Sequence, residues 1–127
     1  MVTVLPQEDE MSLVVAQGEL DVDQLIAAYG EYLRGNPALL TLWDLSSASL
    51  RQIDVVDLRT LAQRVAEEGK GVRSRRARSA VVCARAVDYG LIRVLLAYLV
   101  VESYPVRIAV FMNRHEAKAW LRDDAAE

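Results

Sequence analysis

The stretch that decides the fold reads Leu-Trp-Asp-Leu-Ser at residues 42–46 and, after a short turn, Ile-Asp-Val-Val-Asp-Leu at residues 53–58. The first run is typical of an apolar strand that ends in polar residues. Asp54 then stands at the start of an amphipathic helix, where its carboxylate can cap free backbone amides. The nearly continuous apolar run at 39–45 indicates a strand that is covered on both faces, as in a parallel sheet.

The same alternation of strands and helices continues on both sides of this stretch. We predict strands at residues 2–5, 12–17, 79–84 and 106–112, and helices capped by Asp21, Asp54, Asp88 and Asn113, the third reaching about Ser103. The first two strands are expected to add an antiparallel edge to parallel strands that are joined by crossover helices. The 127 residues are therefore predicted to form a single α/β domain, 1–127, with a mixed, mainly parallel sheet of four to five strands and about four helices.

Composition limits the class of protein. Hydrophobic residues make up 53% and charged residues 26%, which is typical of a globular chain, and the net charge of -3 favours neither nucleic acid nor an anionic membrane. A lone cysteine, Cys83, excludes an internal disulfide, and no signal peptide is apparent, so we expect a cytoplasmic protein. The apolar run at 91–101 rises only about 16 Å, too little to span a bilayer.

Several short runs give the chain a resemblance to a known family. In order they are Gly18-Glu19-Leu20, Leu42-Trp43-Asp44-Leu45, Ile53-Asp54 with Leu58, Asp88-Tyr89-Gly90-Leu91 with Arg93, and Val110-Phe111 followed by Glu116-Ala117 and Ala119-Trp120-Leu121. Their order and spacing resemble the STAS domain, the fold of bacterial anti-sigma-factor antagonists, and more closely the small SpoIIAA-like proteins. The resemblance implies a STAS-like domain that acts by binding another protein. At the level of architecture alone, the chain also resembles lipid-transfer domains of the CRAL-TRIO type.

The chain departs from that family at the start of the second helix. Phosphorylation-controlled antagonists carry an Asp-Ser-Ser-Gly-like run there, and its second serine accepts the phosphate. This chain has Asp54-Val55-Val56-Asp57, so Val56 replaces the acceptor and Asp57 would repel an added phosphate. We therefore expect a non-catalytic regulatory or interaction domain that lacks the usual phosphoacceptor serine.

Small polar residues gather near the expected carboxyl edge of the sheet, where open α/β folds usually bind ligands. Ser46 and Ser47, with Ser49, are placed in the loop that follows the central strand. They can contact a ligand or partner, or simply satisfy the backbone groups of a turn, which is the interpretation we favour.

Three aspartates and an arginine are expected at the same edge. Asp44, Asp54 and Asp88 can together attract a cation, but two of them already have a role as helix caps, so no metal site is predicted. Tyr89 and Arg93 follow Asp88 in the third helix, whose free amides can bind an anion. We favour the alternative in which Arg93 is an internal strut to Asp44 or Asp88.

The sequence contains no catalytic constellation. His115 is the only histidine and is expected to face solvent, so neither a zinc site nor a Ser-His-Asp arrangement has its partners. Cys83 is predicted to be a packed thiol in an apolar strand. The basic stretch 70–78 is predicted to be a solvated turn and not a nucleic-acid site, because no aromatic residue interleaves it. We predict no enzymatic activity and no cofactor.

Two functional classes remain open. The first is a domain that recognises a protein partner, and the second is a carrier or sensor of a small apolar ligand such as a lipid. The helix at 91–101 is apolar almost all round except for Arg93, and a single sheet can cover only part of it. We therefore also expect a twofold homodimer to which this helix contributes.

Overall fold

The computed structural model describes residues 1–123. Within them the elements follow one another as β1 (Val2–Glu8), β2 (Met11–Glu19), α1 (Val22–Arg34), β3 (Leu40–Ser49), α2 (Val55–Gly69), β4 (Arg78–Val82), α3 (Ala86–Val101), β5 (Arg107–Phe111) and α4 (Arg114–Arg122). None of the helices in this part of the chain is long and apolar enough to cross a membrane.

The five strands form one mixed sheet in the order β1-β2-β3-β4-β5. β1 pairs with β2 in an antiparallel hairpin, and every later pairing is parallel. This topology confirms the predicted α/β class and the antiparallel edge. The hairpin turn is tighter than predicted, because Asp9 and Glu10 both adopt a positive φ and close the loop with only two residues.

Helices cover both faces of the sheet. On one face, Leu58 of α2 and Ile92 of α3 pack with strand residues such as Leu45 and Val81. On the other face, α4 packs against a smaller cluster that contains Met11, Leu42, Ala80, Val82, Ala117 and Leu121. Since successive strand residues point to opposite faces, Leu45 packs in the first of these clusters and Leu42 in the second. This double cover explains the uninterrupted apolar run in β3.

The central strand runs further than its apolar pattern indicates. β3 continues to Ser49 because Ser47 and Ser49 pair in parallel with Gln17 and Glu19 of the long strand β2, beyond a bulge that leaves one extra residue in β3 between Asp44 and Ser47. The prediction that Ser46, Ser47 and Ser49 lie in a loop is therefore wrong. Their backbone groups belong to the sheet, which a polar sequence does not reveal when the neighbouring strand supplies the pairing.

The third helix begins and ends earlier than predicted. α3 starts at Ala86 with Arg85 at the N-cap, and Asp88 lies in its first turn, so the prediction that Asp88 caps the helix is wrong. The helix ends at Val101, and Ser103 takes a positive φ in the turn that follows. The other predicted caps are confirmed: Asp21, Asp54 and Asn113 each accept a hydrogen bond from the backbone amide three residues on.

Two further predictions about burial need correction. The spacing of apolar residues in α1 predicts a buried face of Leu25, Ile26, Tyr29 and Leu33. The most buried side chains are instead Ala28, Tyr29 and Tyr32, and the rest of the predicted face is only half-buried. In the basic stretch, Arg73 and Arg78 are buried and only the remaining positive charges are solvated. Their guanidinium groups stack on Tyr32 and Trp120 respectively, so aromatic rings distant in sequence draw them inward.

Candidate functional site

Asp44 lies in the middle of β3, level with Val82 at the end of β4, and is buried beside α4. Its Oδ1 accepts hydrogen bonds from the Ser46 amide at 3.0 Å and the Ser46 hydroxyl at 2.6 Å. Its Oδ2 accepts from Nη1 of Arg114 at 3.1 Å, across 70 positions of sequence. Asp44 is therefore held by three donors, and its arginine partner comes from α4.

Asp88 is the most deeply buried carboxylate at this edge, with 2% of its surface exposed. Nε and Nη2 of Arg85 donate to its two oxygens at 3.0 Å each, and the amide of Leu50 donates at 3.4 Å. This bidentate hydrogen bond, followed by the charge of Asp88, raises the pKa of Arg85. Asp88 therefore fastens the start of α3 to the connection between β3 and α2.

Arg85 also reaches the end of the central strand, since its Nη2 donates to the hydroxyl of Ser49 at 2.9 Å. The predicted strut thus exists, but the prediction that Arg93 forms it is wrong. Arg93 is exposed and makes no ion pair within residues 1–123. Because α3 begins at Ala86, Arg85 at its N-cap lies beside Asp88. Arg93 follows Asp88 by five residues and therefore lies on a different side of the helix, where it is exposed.

The remaining predicted site residues do not converge on one point. Ser46 and Ser47 are exposed on β3, and Tyr89 is half-buried against the core. Asp54 forms a capping box with Asp57: each side chain accepts the other's backbone amide, at 2.8 and 3.2 Å. Among the residues described, no group of three potential ligands is placed to hold a metal ion.

The start of α2 exposes two apolar side chains that the sequence did not single out as a surface. Val55 is 53% exposed and Val56 is 73% exposed, at the first two positions of the helix. Both precede the buried Leu58, so the register of the helix turns them to solvent. The available signal was a pair of valines on the polar side of an otherwise amphipathic helix.

A cavity of about 100 Å³ lies between the sheet and helices α1, α2 and α3. Its lining is mostly aliphatic, with aromatic and hydroxyl groups at one end from Tyr29, Tyr32, Trp43, Tyr104 and Ser79. An unfilled space of this size costs roughly 2 kcal/mol of stability. The core is therefore less tightly packed here than elsewhere.

Three tyrosines, of which Tyr29 and Tyr32 are buried and Tyr104 is half-buried, lie at the polar end of this cavity. The hydroxyls of Tyr29 and Tyr104 are 2.6 Å apart, and the Tyr32 hydroxyl is 2.6 Å from Oγ1 of Thr41. Burial raises the pKa of all three tyrosines, and that of Tyr104 reaches about 12. Beside them Arg73, 8% exposed, donates from Nη1 to the carbonyl of Ala38 at 3.2 Å.

Neither Cys83 nor His115 takes part in a site. Burial, with the added negative charges of Asp88 and Asp44, raises the pKa of the Cys83 thiol to about 12. His115 is exposed in the first turn of α4, as predicted. Neither side chain is thus placed as a nucleophile or as a general base.

Two solved structures share this architecture over almost the whole chain. One is an anti-sigma factor antagonist from Mycobacterium paratuberculosis, with a TM-score of 0.59 and 20% identity over 97% of this chain and 96% of its own. The other is the anti-sigma factor antagonist SpoIIAA in its unphosphorylated form, with a TM-score of 0.55 and 16% identity over 96% of both chains. This chain has the anti-sigma-factor-antagonist fold. No family model matches the sequence, and no curated protein matches it.

Within this STAS fold, the carboxyl edge of the sheet carries aspartates that are bound within the protein and valines that are exposed to solvent. Asp44 and Asp88 are each held by an arginine, and Asp54 is engaged as a cap. Val55 and Val56 project from the same edge without burial. The partners Arg85 and Arg114 were missed by sequence reasoning. Arg85 had a weak signal in its spacing of three from Asp88, whereas Arg114 had none.

Proposed function

We propose that this STAS-like domain is a non-catalytic interaction module that binds a protein partner through the start of α2. The observation that carries the proposal is the pair of valines, Val55 and Val56, exposed at the first turn of that helix. Burying an exposed valine fully in an interface contributes roughly 1.5–3 kcal/mol. The likeness of the fold to two anti-sigma factor antagonists supports a regulatory role of this kind.

The geometry of this surface favours binding without a large rearrangement. The reciprocal hydrogen bonds of Asp54 and Asp57 fix the first turn of α2 before any partner arrives. Little conformational entropy is then lost on binding. Ser46 and Ser47 at the same edge supply exposed polar groups for a rim.

We propose further that no phosphate controls this surface. Val56 has no hydroxyl, and the carboxylates of Asp54 and Asp57 repel an added phosphate. Incubation with a serine kinase that modifies anti-sigma factor antagonists should leave the start of α2 unmodified, as peptide mapping by mass spectrometry would show. Phosphate on Ser46, Ser47 or Ser49 together with altered partner binding would contradict this.

The test of the proposed surface is comparative capture from the native cell extract. We expect the wild type and Val72→Asp to retain the same partner, and Val56→Asp to lose it. Val72 is the matched control, because it is 60% exposed in the turn after α2, at the far end of that helix. Circular dichroism would verify that both variants fold. Equal retention by all three proteins would exclude this surface.

The proposal places the protein in the cytoplasm. Cys83 is free and buried, which fits a compartment that keeps thiols reduced. Fractionation of native cells with detection by antibody would test this. Recovery of the protein in a membrane or extracellular fraction would contradict it.

The cavity favours a second candidate function, the binding of a small apolar ligand. Engineered apolar cavities of about 150 Å³ bind benzene. A cavity of about 100 Å³ accordingly suits a molecule no larger than benzene, and a long acyl chain fits only if the helices move apart. Titration with benzene, followed by NMR shifts of the core methyl groups, is the direct test. Saturable shifts that Val81→Leu abolishes would support this function, and absence of shifts would remove it.

A further inference from the structure

A groove of about 1030 Å³ crosses the opposite edge of the sheet, where the parallel strands begin. Five arginines line it: Arg75, Arg76, Arg78, Arg107 and Arg122. They come from the connection before β4, from the first residues of β4 and β5, and from the end of α4. The fold thus collects on one edge positive charges that are far apart in sequence, in a chain whose net charge is -3.

The arrangement of these charges leaves an excess of positive potential. Arg78 and Arg107 are direct neighbours across β4 and β5, and like charges in that position repel each other. Arg78 is engaged with the carbonyls of Trp120 and Asp123 at 3.3 and 2.9 Å. Within residues 1–123, Arg75, Arg76 and Arg107 have no carboxylate partner, so an incoming anion would relieve the repulsion.

The other walls of the groove decide which anion fits. Asp9 and Glu10 in the β1–β2 turn form part of the lining, and Asp9 pairs with Arg122 at 3.7 Å. The charge of Glu10 remains to oppose a dense row of phosphates at this end. Leu39, 45% exposed, offers apolar contact beside the arginines. Among the residues that the structure describes, no tyrosine, tryptophan or phenylalanine lines the groove, so these residues offer no stacking platform for nucleic-acid bases.

We infer that this groove binds an acidic segment of a protein partner in which apolar side chains are interspersed among carboxylates. Carboxylates of the segment would accept paired hydrogen bonds from Arg75 and Arg107, and an apolar side chain would cover Leu39. The surface lies at the edge of the sheet opposite the start of α2, so the inference goes beyond the proposed function and does not depend on it.

The test uses a fluorescein-labelled peptide, Glu-Leu-Glu-Glu-Leu-Glu, and its counterpart with glutamine at every glutamate. Fluorescence anisotropy should show binding of the glutamate peptide that weakens as salt is added. Arg75→Glu combined with Arg107→Glu should weaken that binding about tenfold or more, because charge-assisted hydrogen bonds are lost. The matched control, Arg59→Glu combined with Arg64→Glu on the exposed side of α2, should bind like the wild type.

Three results would overturn the inference. They are equal binding of the glutamine peptide, unchanged binding by the Arg75/Arg107 variant, and tighter binding of a single-stranded DNA oligonucleotide than of the glutamate peptide. Val56→Asp should bind the peptide like the wild type. Its behaviour separates the two surfaces, because loss of partner capture at α2 would then leave the groove intact.

Discussion

At the scale of single residues, the buried carboxylates are structural anchors. Asp88 faces Arg85 in a bidentate pair, and Asp44 faces Arg114 together with Ser46. An aspartate at this depth is tolerated because its charge is matched by donors. The residues that looked most like a binding site in the sequence are therefore occupied within the protein itself.

We predict that Arg85→Ala lowers the midpoint of thermal unfolding clearly more than Arg51→Ala. Removing Arg85 leaves the carboxylate of Asp88 buried with only the amide of Leu50 as a donor. Removing Arg51 breaks only an exposed pair with Glu19, and such pairs contribute little. Differential scanning calorimetry of both variants checks this. Equal midpoints would show that Asp88 does not depend on its partner.

We predict that the thiol of Cys83 is inert in the folded protein. A pKa raised from 9.0 to about 12 lowers the thiolate fraction at pH 8 by about a thousandfold, and burial blocks the reagent as well. An aromatic disulfide reagent should react slowly with native protein and at once in urea, with Cys83→Ser as the blank. Rapid labelling of the native protein would contradict the buried position.

At the scale of elements, the start of α2 combines a strong cap with an exposed apolar face. Asp54 is engaged in capping α2 and is not available to bind a ligand. The exposed valines are the side chains that a partner can bury. The two roles can be separated by substitution, because the cap acts on stability and the valines act on binding.

We predict that Asp54→Ala costs about 1 kcal/mol of unfolding free energy, the usual loss when a capping side chain is removed. Asp54→Ser should restore most of that loss, since a hydroxyl can accept the same amide of Asp57. Urea denaturation of the three proteins gives the comparison. If Asp54→Ala were as stable as the wild type, the cap would not contribute.

The third helix carries an exposed apolar stripe, which is the surface through which we expect the homodimer to form. Val87, Val94 and Val101 are exposed at spacings of seven, with Gly90 and Ala97 also exposed between them. Residues at these spacings lie along one side of a helix, and the core contacts of α3 are made by others, such as Ile92 and Leu99. The small side chains allow a second copy of the helix to approach closely.

We predict that the wild type is a dimer by light scattering at micromolar concentration and that Val94→Glu shifts it towards monomer. A glutamate at the centre of the stripe would bury an unpaired charge between the two helices. Val72→Glu, an exposed valine away from α3, serves as the control and should stay dimeric. A wild type that is monomeric in this measurement would refute the dimer.

At the scale of the whole molecule, a cluster of aromatic side chains connects distant parts of the chain. Tyr29 and Tyr32 of α1 meet Trp43 of β3 and Tyr104 before β5. Gly69 at the end of α2 lets the cluster close, because a Cβ there would lie 2.6 Å from the hydroxyl of Tyr29. The cluster thus joins α1 and α2 to the sheet at the polar end of the cavity.

We predict that this cluster makes stability fall at alkaline pH. The folded-state pKa of Tyr104 is raised from 10.0 to about 12, so the folded protein keeps its proton after the unfolded chain has lost it. The contribution is complete below pH 10 and is lost as the pH rises from 10 towards 12. Urea denaturation across this range should show the decline, and Tyr104→Phe should reduce its slope. A flat profile would contradict the raised pKa.

The sequence by itself determined the elements that depend on local chemistry. Caps at Asp21, Asp54 and Asn113, the apolar run of β3 and the alternation of strands with helices all act within a few residues, so the fold class could be predicted from them. The STAS resemblance rested instead on the order and spacing of short sequence runs such as 42–45. The missing hydroxyl at Val56 was equally visible, because it concerns one position in a short motif.

The tertiary structure alone decided which groups meet. Arg114 forms an ion pair with Asp44 across 70 positions of sequence, and Arg78 lies beside Arg107 in the sheet. The serines at the end of β3 adopt a strand conformation because they pair with β2. Such contacts depend on how elements pack, and no local preference encodes them. For the same reason the cavity and the basic groove could be recognised only in the folded structure, in which the helices pack on the sheet.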